Sequence, residues 1–176
     1  MSKILYASVV RSLMFSMQEL AGYTNSHMAG DLDNRKLTSI YLMTFADGSV
    51  SWQSRLQKCG VVSTTETGYI AATEACKEML WMKRFIQELG FKQQRYVIYC
   101  NNQSAIHLGK NATFHSKTKH IDVKYHWLRD ALNDELFELE KIHTDHNGFD
   151  MLTKNLPRSK LEFCRSTVGM KSSSLK

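Results

Sequence analysis

Ser63-Thr-Thr-Glu66-Thr-Gly-Tyr-Ile-Ala-Ala72-Thr-Glu-Ala-Cys76-Lys-Glu-Met79-Leu-Trp-Met82-Lys-Arg-Phe-Ile86-Gln-Glu-Leu89, closed by Gly90, is the stretch on which the fold turns. Ala72, Cys76, Met79, Met82, Ile86 and Leu89 recur every three or four positions, the period of a helix with one buried face. Ser63 and Glu66 stand at the spacing of a capping box, in which the hydroxyl and the carboxylate each satisfy a free N–H of the first turn. Gly90 occupies the position where helices end in a left-handed residue. The spacing predicts a helix over 63–89 whose apolar stripe is core, not a cofactor box.

Upstream, Leu20 to Asn25, Ile40 to Phe45 and Ser49 to Ser54 read as strands, rich in aromatic and branched residues. Asp47-Gly48 is the turn signal between the last two. Downstream, Tyr96 to Cys100 is a buried strand, and a short helix starts near Gln103 with Asn102 as its cap. Ile121, Tyr125, Leu128 and Leu132 mark a third helix, and Leu136 to His143 a weaker strand. From Asn147 the pattern is a terminal helix interrupted at Pro157. Residues 1–18 read as a helix without an amphipathic face. The order β-β-β-α-β-α-α-β-α implies the α/β (mixed α+β) class, a mixed sheet with helices on its faces.

The chain has 176 residues, 43% hydrophobic and 23% charged, with one proline and nine glycines. That composition makes one globular domain and excludes collagenous, coiled-coil and membrane-spanning classes. The 23 Lys+Arg against 17 Asp+Glu leave a net charge of +6, which suits a polyanionic partner but equally a solvated basic surface. Cys59, Cys76, Cys100 and Cys164 form no C-x-x-C pair. They suit a reducing intracellular compartment, cytoplasmic or nuclear, with Cys76 and Cys100 as core thiols. No apolar run approaches the ~20 residues that span a bilayer, so no membrane is expected. Arg11 breaks the apolar N-terminal stretch, against a signal peptide.

No phosphate-binding glycine loop, G-x-S-x-G elbow or H-E-x-x-H is present. His143 and His146 have ligand-like spacing but lack the further ligands a zinc site needs, and no metal site is predicted. One segment mixes charge with rings: Lys117, Lys119, Lys124 and Arg129 alternate with His120, Tyr125, His126 and Trp127. Cations there would neutralise phosphates while rings pack on sugars or bases. A helix with a charged outer face would carry the same residues.

Several motifs together resemble the ribonuclease H domain of copia-type LTR retrotransposon Pol polyproteins. They are Ser51-Trp-Gln-Ser-Arg-Leu-Gln-Lys58, Ser63-Thr-Thr-Glu66 with Tyr69-Ile-Ala-Ala72, and Gln103-Ser-Ala-Ile106. Thr118-Lys-His-Ile-Asp-Val-Lys-Tyr-His-Trp127 and Asp150-Met-Leu-Thr-Lys154 follow in the family's order. Residues 4–15 are similar to a segment near the end of the neighbouring reverse transcriptase, without the connecting stretch that follows it in the family. The expected division is therefore a reverse-transcriptase remnant over 1–18, a ribonuclease H-like domain over 19–170 and a flexible tail over 171–176.

The resemblance implies a ribonuclease H-like five-stranded mixed sheet with helices on both faces. It also implies hydrolysis of the RNA strand of an RNA–DNA hybrid by two Mg²⁺ ions. The family holds those ions with four carboxylates: on the first strand, in the long helix, at the end of the fourth strand and in the last helix. The matching positions here are Asn25, Gly68, Asn101 and Asp150, so one formal negative charge stands where the family has four. Hard divalent ions need anionic oxygen ligands. The expectation is thus an inactive ribonuclease H-like protein with no tightly bound cofactor. It would retain contact with an RNA–DNA hybrid or a double-stranded nucleic acid through Lys117, Lys119, His120, Lys124, Tyr125, Trp127 and Arg129. A protein-interaction module on the same scaffold and an active Mg-dependent nuclease are the alternatives.

Overall fold

The computed structural model describes residues 19–31, 36–46, 48–57, 63–111, 127–143, 147–152 and 156–169, with backbone alone for 27–31, 36 and 37. The expected remnant over 1–18 and tail over 171–176 lie outside the described residues, as does the proposed helix start at Ile121. Five strands form one sheet: β1 (Ala21–Asp31), β2 (Lys36–Phe45), β3 (Gly48–Leu56), β4 (Val97–Cys100) and β5 (Glu138–Lys141). Their spatial order is β3-β2-β1-β4-β5. The β1–β2 and β2–β3 pairs are antiparallel, whereas β1–β4 and β4–β5 are parallel. Among the described residues four α-helices accompany it: α1 (Thr64–Glu88), α2 (Gln103–Lys110), α3 (Trp127–Asn133) and α4 (Arg158–Thr167).

Successive residues of a strand point to opposite faces, and the sheet is covered on both. Met43, Ile98 and Leu139 are buried in one cluster with Ala72, Cys76, Met79, Met82 and Ile86 of α1. Leu42 turns the other way, against Phe149 and Val168, with Tyr23 packed beside them. Completely buried side chains such as Met79 and Ile98 each contribute roughly 2–3 kcal/mol of transfer free energy. Gly22 permits α1 to lie close on the sheet, since a Cβ there would meet Met43 Sδ at 3.0 Å and Met79 Cε at 3.1 Å.

Helix α1 follows the sequence reading closely. Ser63 is its extended N-cap, and its hydroxyl accepts from the Glu66 N–H at 3.2 Å. At the far end Gly90 takes φ 87°, with Gly90 N–H bonded to Gln87 O and Phe91 N–H to Ile86 O. Leu89 departs from the predicted stripe and is exposed. Cys76, Cys100 and Cys164 are free and buried, and burial pushes the Cys76 thiol well up.

Three elements differ from expectation. Strand β1 runs to Asp31, well past Asn25, through a register irregularity between His27 and Asp31. Phe45 pairs with Gly48, and Ala46 takes the left-handed φ of 54°. Gly48 is therefore the first residue of β3, not a turn residue. The last helix is split: a 3₁₀ turn covers Asp150–Leu152, and α4 begins only after Pro157, whose fixed φ suits a helix start. No helix among the described residues is long and apolar enough to cross a membrane.

Candidate active site

Parallel pairing of β1 with β4 builds the site. The register sets Thr24 beside Cys100, so the next residues on each chain, Asn25 and Asn101, emerge together at the same end of the sheet. Asn101 Nδ2 donates to Asn25 Oδ1 at 2.8 Å, and Ser26 N–H donates to the same oxygen at 2.7 Å. Asn25 Nδ2 in turn donates to Asp150 Oδ1 at 3.1 Å. Asp150 is only 2% exposed, and its 3₁₀ turn is held down by Phe149, whose ring lies 4.2 Å from that of Tyr23. Three of the four family-like positions are thus joined by one chain of side-chain hydrogen bonds.

The fourth position, Gly68, is buried in the second turn of α1. A Cβ at Gly68 would fall 2.6 Å from Asn102 Nδ2 and 3.0 Å from Asn102 Cβ. The Asn102 side chain has filled the space a side chain would need. It is also fixed there, donating to Thr64 O at 2.9 Å and accepting from Ala105 N–H at 3.0 Å as the N-cap of α2.

These residues do not fit a two-magnesium centre. Two closely spaced hard cations need several anionic oxygens. One carboxylate is present among the four positions, the carbonyl oxygen of Asn25 already accepts two hydrogen bonds, and its amide donates to that carboxylate. Among the described residues, no group of three or more His, Cys, Asp or Glu side chains is placed to hold a metal ion. Cys100, next to Asn101, offers a soft thiol, a donor type that hard divalent cations do not select. Burial raises its thiol pKa against the lowering by the Asn102 backbone and the nearby Lys141 charge.

An open cleft of about 280 Å³ lies beside this chain, lined by Ser26, Thr64, Thr67, Asn101, Asn102, Gln103 and Ser104. Every lining residue is neutral and can hydrogen-bond. Lys141, at the end of β5, donates to Asn101 O. It went unnoticed in the sequence, although its pairing with Cys100 places it beside the site. That partnership depends on strand order, which no local pattern reveals.

Of the residues expected to contact nucleic acid, Lys117, Lys119, His120, Lys124 and Tyr125 lie outside the described residues. Trp127 is half-buried against the core, its ring 6.4 Å from Phe137. Arg129 corrects the expectation. It is buried, with Nη2 donating to Leu108 O at 3.2 Å, because its position on α3 faces α2 and not solvent. It is a buried arginine whose guanidinium is engaged by a backbone carbonyl.

No family model matches the chain. It is 58% identical over 153 residues to the Retrovirus-related Pol polyprotein from transposon TNT 1-94 of Nicotiana tabacum, covering 87% of this chain and 12% of that protein. With the Pol polyprotein from transposon RE1 of Arabidopsis thaliana it shares 34% over 152 residues, 86% of this chain and 10% of that one. The chain therefore spans only about a tenth of the length of these relatives. Among solved structures, LC11-RNase H1, isolated from compost by a metagenomic approach, superposes with a TM-score of 0.51 at 12% identity. That match covers 87% of this chain and 94% of the other, and it shows the fold. Sequence and fold agree: the chain matches one segment of retrotransposon Pol polyproteins, and it has the ribonuclease H-like fold.

Proposed function

We propose that this chain is a non-cleaving ribonuclease H-like protein that binds RNA–DNA hybrid or duplex nucleic acid. One observation carries the loss of catalysis: the Asn101–Asn25–Asp150 hydrogen-bond chain stands where the family's chemistry needs mutually repelling carboxylates neutralised by cations. The binding half rests on the net charge of +6 and on the basic, ring-bearing segment with Lys117, Lys119, His120, Lys124 and Tyr125. Arg129 is left out of that set because it is buried.

The test is hybrid cleavage in Mg²⁺ or Mn²⁺, with hybrid binding measured in parallel across a salt series. No cleavage by the wild-type chain, with affinity falling steeply as salt rises, is the expected result. Cleavage that Asp150→Asn abolishes would overturn it. A triple variant, Asn25→Asp, Gly68→Glu and Asn101→Asp, asks whether the scaffold still supports chemistry.

A second reading, a protein-interaction module, is favoured by an apolar face on α1. Trp81 and Phe85 stack at 5.6 Å with rings nearly parallel, and both are exposed, as is Leu89 one turn further. Absence of any salt-dependent hybrid binding would select that reading.

A further inference from the structure

We propose that the outer edge of β3 is a pairing surface for a second copy of this chain. Two β3 strands run antiparallel across a two-fold axis at Gln53 and join two five-stranded sheets into one. The inference stands apart from the hybrid-binding reading.

The two edges of the sheet offer different things to an incoming strand. At one edge β5 has four residues, of which Glu138, Glu140 and Lys141 are charged, and Arg95 clasps both glutamates. Short length and charge keep an edge from accepting another strand. At the opposite edge β3 has nine residues, and among the described residues only β2 pairs with it. It contains no proline and a single charged residue, Arg55. Trp52 is 62% exposed and Leu56 49%, so this edge is apolar as well as unguarded.

The register follows from faces and charge. A two-fold axis normal to the sheet keeps each face on its own side, so opposed residues lie an even number of positions apart. The irregularity at Met43 and Thr44 leaves Val50 out of the β2 ladder, and regular pairing begins at Ser51. Centred on Gln53, Ser51 faces Arg55 of the second copy and Trp52 faces its Ser54. Ser51 is on the α1 side, where its hydroxyl donates to Glu78 Oε1 at 2.7 Å. Arg55, four positions on, shares that face, so the incoming guanidinium meets the Glu78 carboxylate, and symmetry makes the ion pair twice. On the other face Trp52 has Trp52 and Leu56 of the second copy as diagonal neighbours, within reach of an aromatic ring. Above the edge, Trp81 and Phe85 follow Glu78 along the same flank of α1, stacked and exposed, and extend the apolar surface. Each β3 thus brings the cation, and each α1 the anion, that the other copy needs. That reciprocity selects a copy of this chain over an arbitrary strand.

Sedimentation velocity of the full chain across the micromolar range should show a monomer–dimer equilibrium. Arg55→Glu sets carboxylates together at both ends of the interface and should weaken the dimer about tenfold. Glu78→Arg opposes two cations and should do the same. The double variant, Arg55→Glu with Glu78→Arg, returns opposite charges to each other and should recover the dimer to within about threefold of wild type. Trp52→Lys should also weaken it, whereas Arg84→Glu, at an exposed position on another flank of α1, should leave it unchanged. A chain that stays monomeric, or a dimer indifferent to Arg55→Glu, would overturn the proposal. So would losses in both single variants without recovery in the double, because damage to folding or packing is not repaired by exchanging the charges.

Discussion

Asn25 and Asp150, 125 residues apart in the chain, share one hydrogen bond of 3.1 Å in the interior of the site. An amide faces a carboxylate there, so neither group needs a cation to stay where it is.

Returning one acid alone should therefore harm the protein. Asn25→Asp removes the donor to Asp150 and sets two carboxylates in contact in a buried place. Unfolding in urea should show a loss of about 2 kcal/mol relative to wild type. Exchanging the partners, Asn25→Asp with Asp150→Asn, restores a donor–acceptor pair and should recover at least half of that loss. If the single variant is as stable as wild type, the hydrogen bond contributes nothing.

Gly68 reverses an ordinary expectation about helix glycines. Ala normally gains roughly 0.5–1 kcal/mol over Gly in a helix interior. Here the added Cβ displaces Asn102, which costs the α2 cap, worth about 1 kcal/mol, and the bond to Thr64 O. Gly68→Ala should thus be neutral to destabilising by about 1 kcal/mol. In an Asn102→Ser background, where a shorter cap leaves room, the same change should become stabilising. Thermal unfolding of the four proteins of that cycle decides it.

Arg129 separates packing from binding. Arg129→Ala should destabilise by about 2 kcal/mol, leaving a cavity and an unpaired Leu108 carbonyl. Arg129→Met keeps most of the volume and should be milder. In neither variant should the salt dependence of hybrid binding change, which a titration over ionic strength would check. A slope lower by about one unit would restore Arg129 to the phosphate contacts.

Ala46 sits at φ 54° in the β2–β3 turn, where a side chain is strained. Ala46→Gly should raise stability by about 0.5–1 kcal/mol, and the effect is visible as a higher melting temperature.

The helix 63–89 and the existence of five strands were legible because their signals are local: a capping box, a 3.6-residue stripe, alternation between turn residues. The identity of the four family-like positions was legible by resemblance. What lay beyond reach needed pairing across the sheet. That Asn101 would donate to Asn25, or Lys141 to Asn101, depends on the order β1-β4-β5. That Asn102 would take the space beside Gly68 depends on how α2 meets α1. Arg129 misled because charge argues for a surface position, while a core arginine that ties down a carbonyl leaves no local mark. Asp150 was expected in a helix running from Asn147 to an interruption at Pro157, but the buried Asn147, whose side chain accepts from Phe149 N–H at 3.3 Å, leads into a 3₁₀ segment instead.

Strand β1 lies in the middle of the sheet, laddered to β2 on one side and β4 on the other, and Leu20 at its head is clasped through both N–H and carbonyl by the Gln93 amide. A pull on the backbone at Leu20 would load both ladders in shear together, so that many hydrogen bonds must fail at once rather than in sequence. Tension arriving from a tethered neighbour would meet the sheet at its mechanically strongest strand, and the Asn25 junction, five residues beyond Leu20, would be shielded from it.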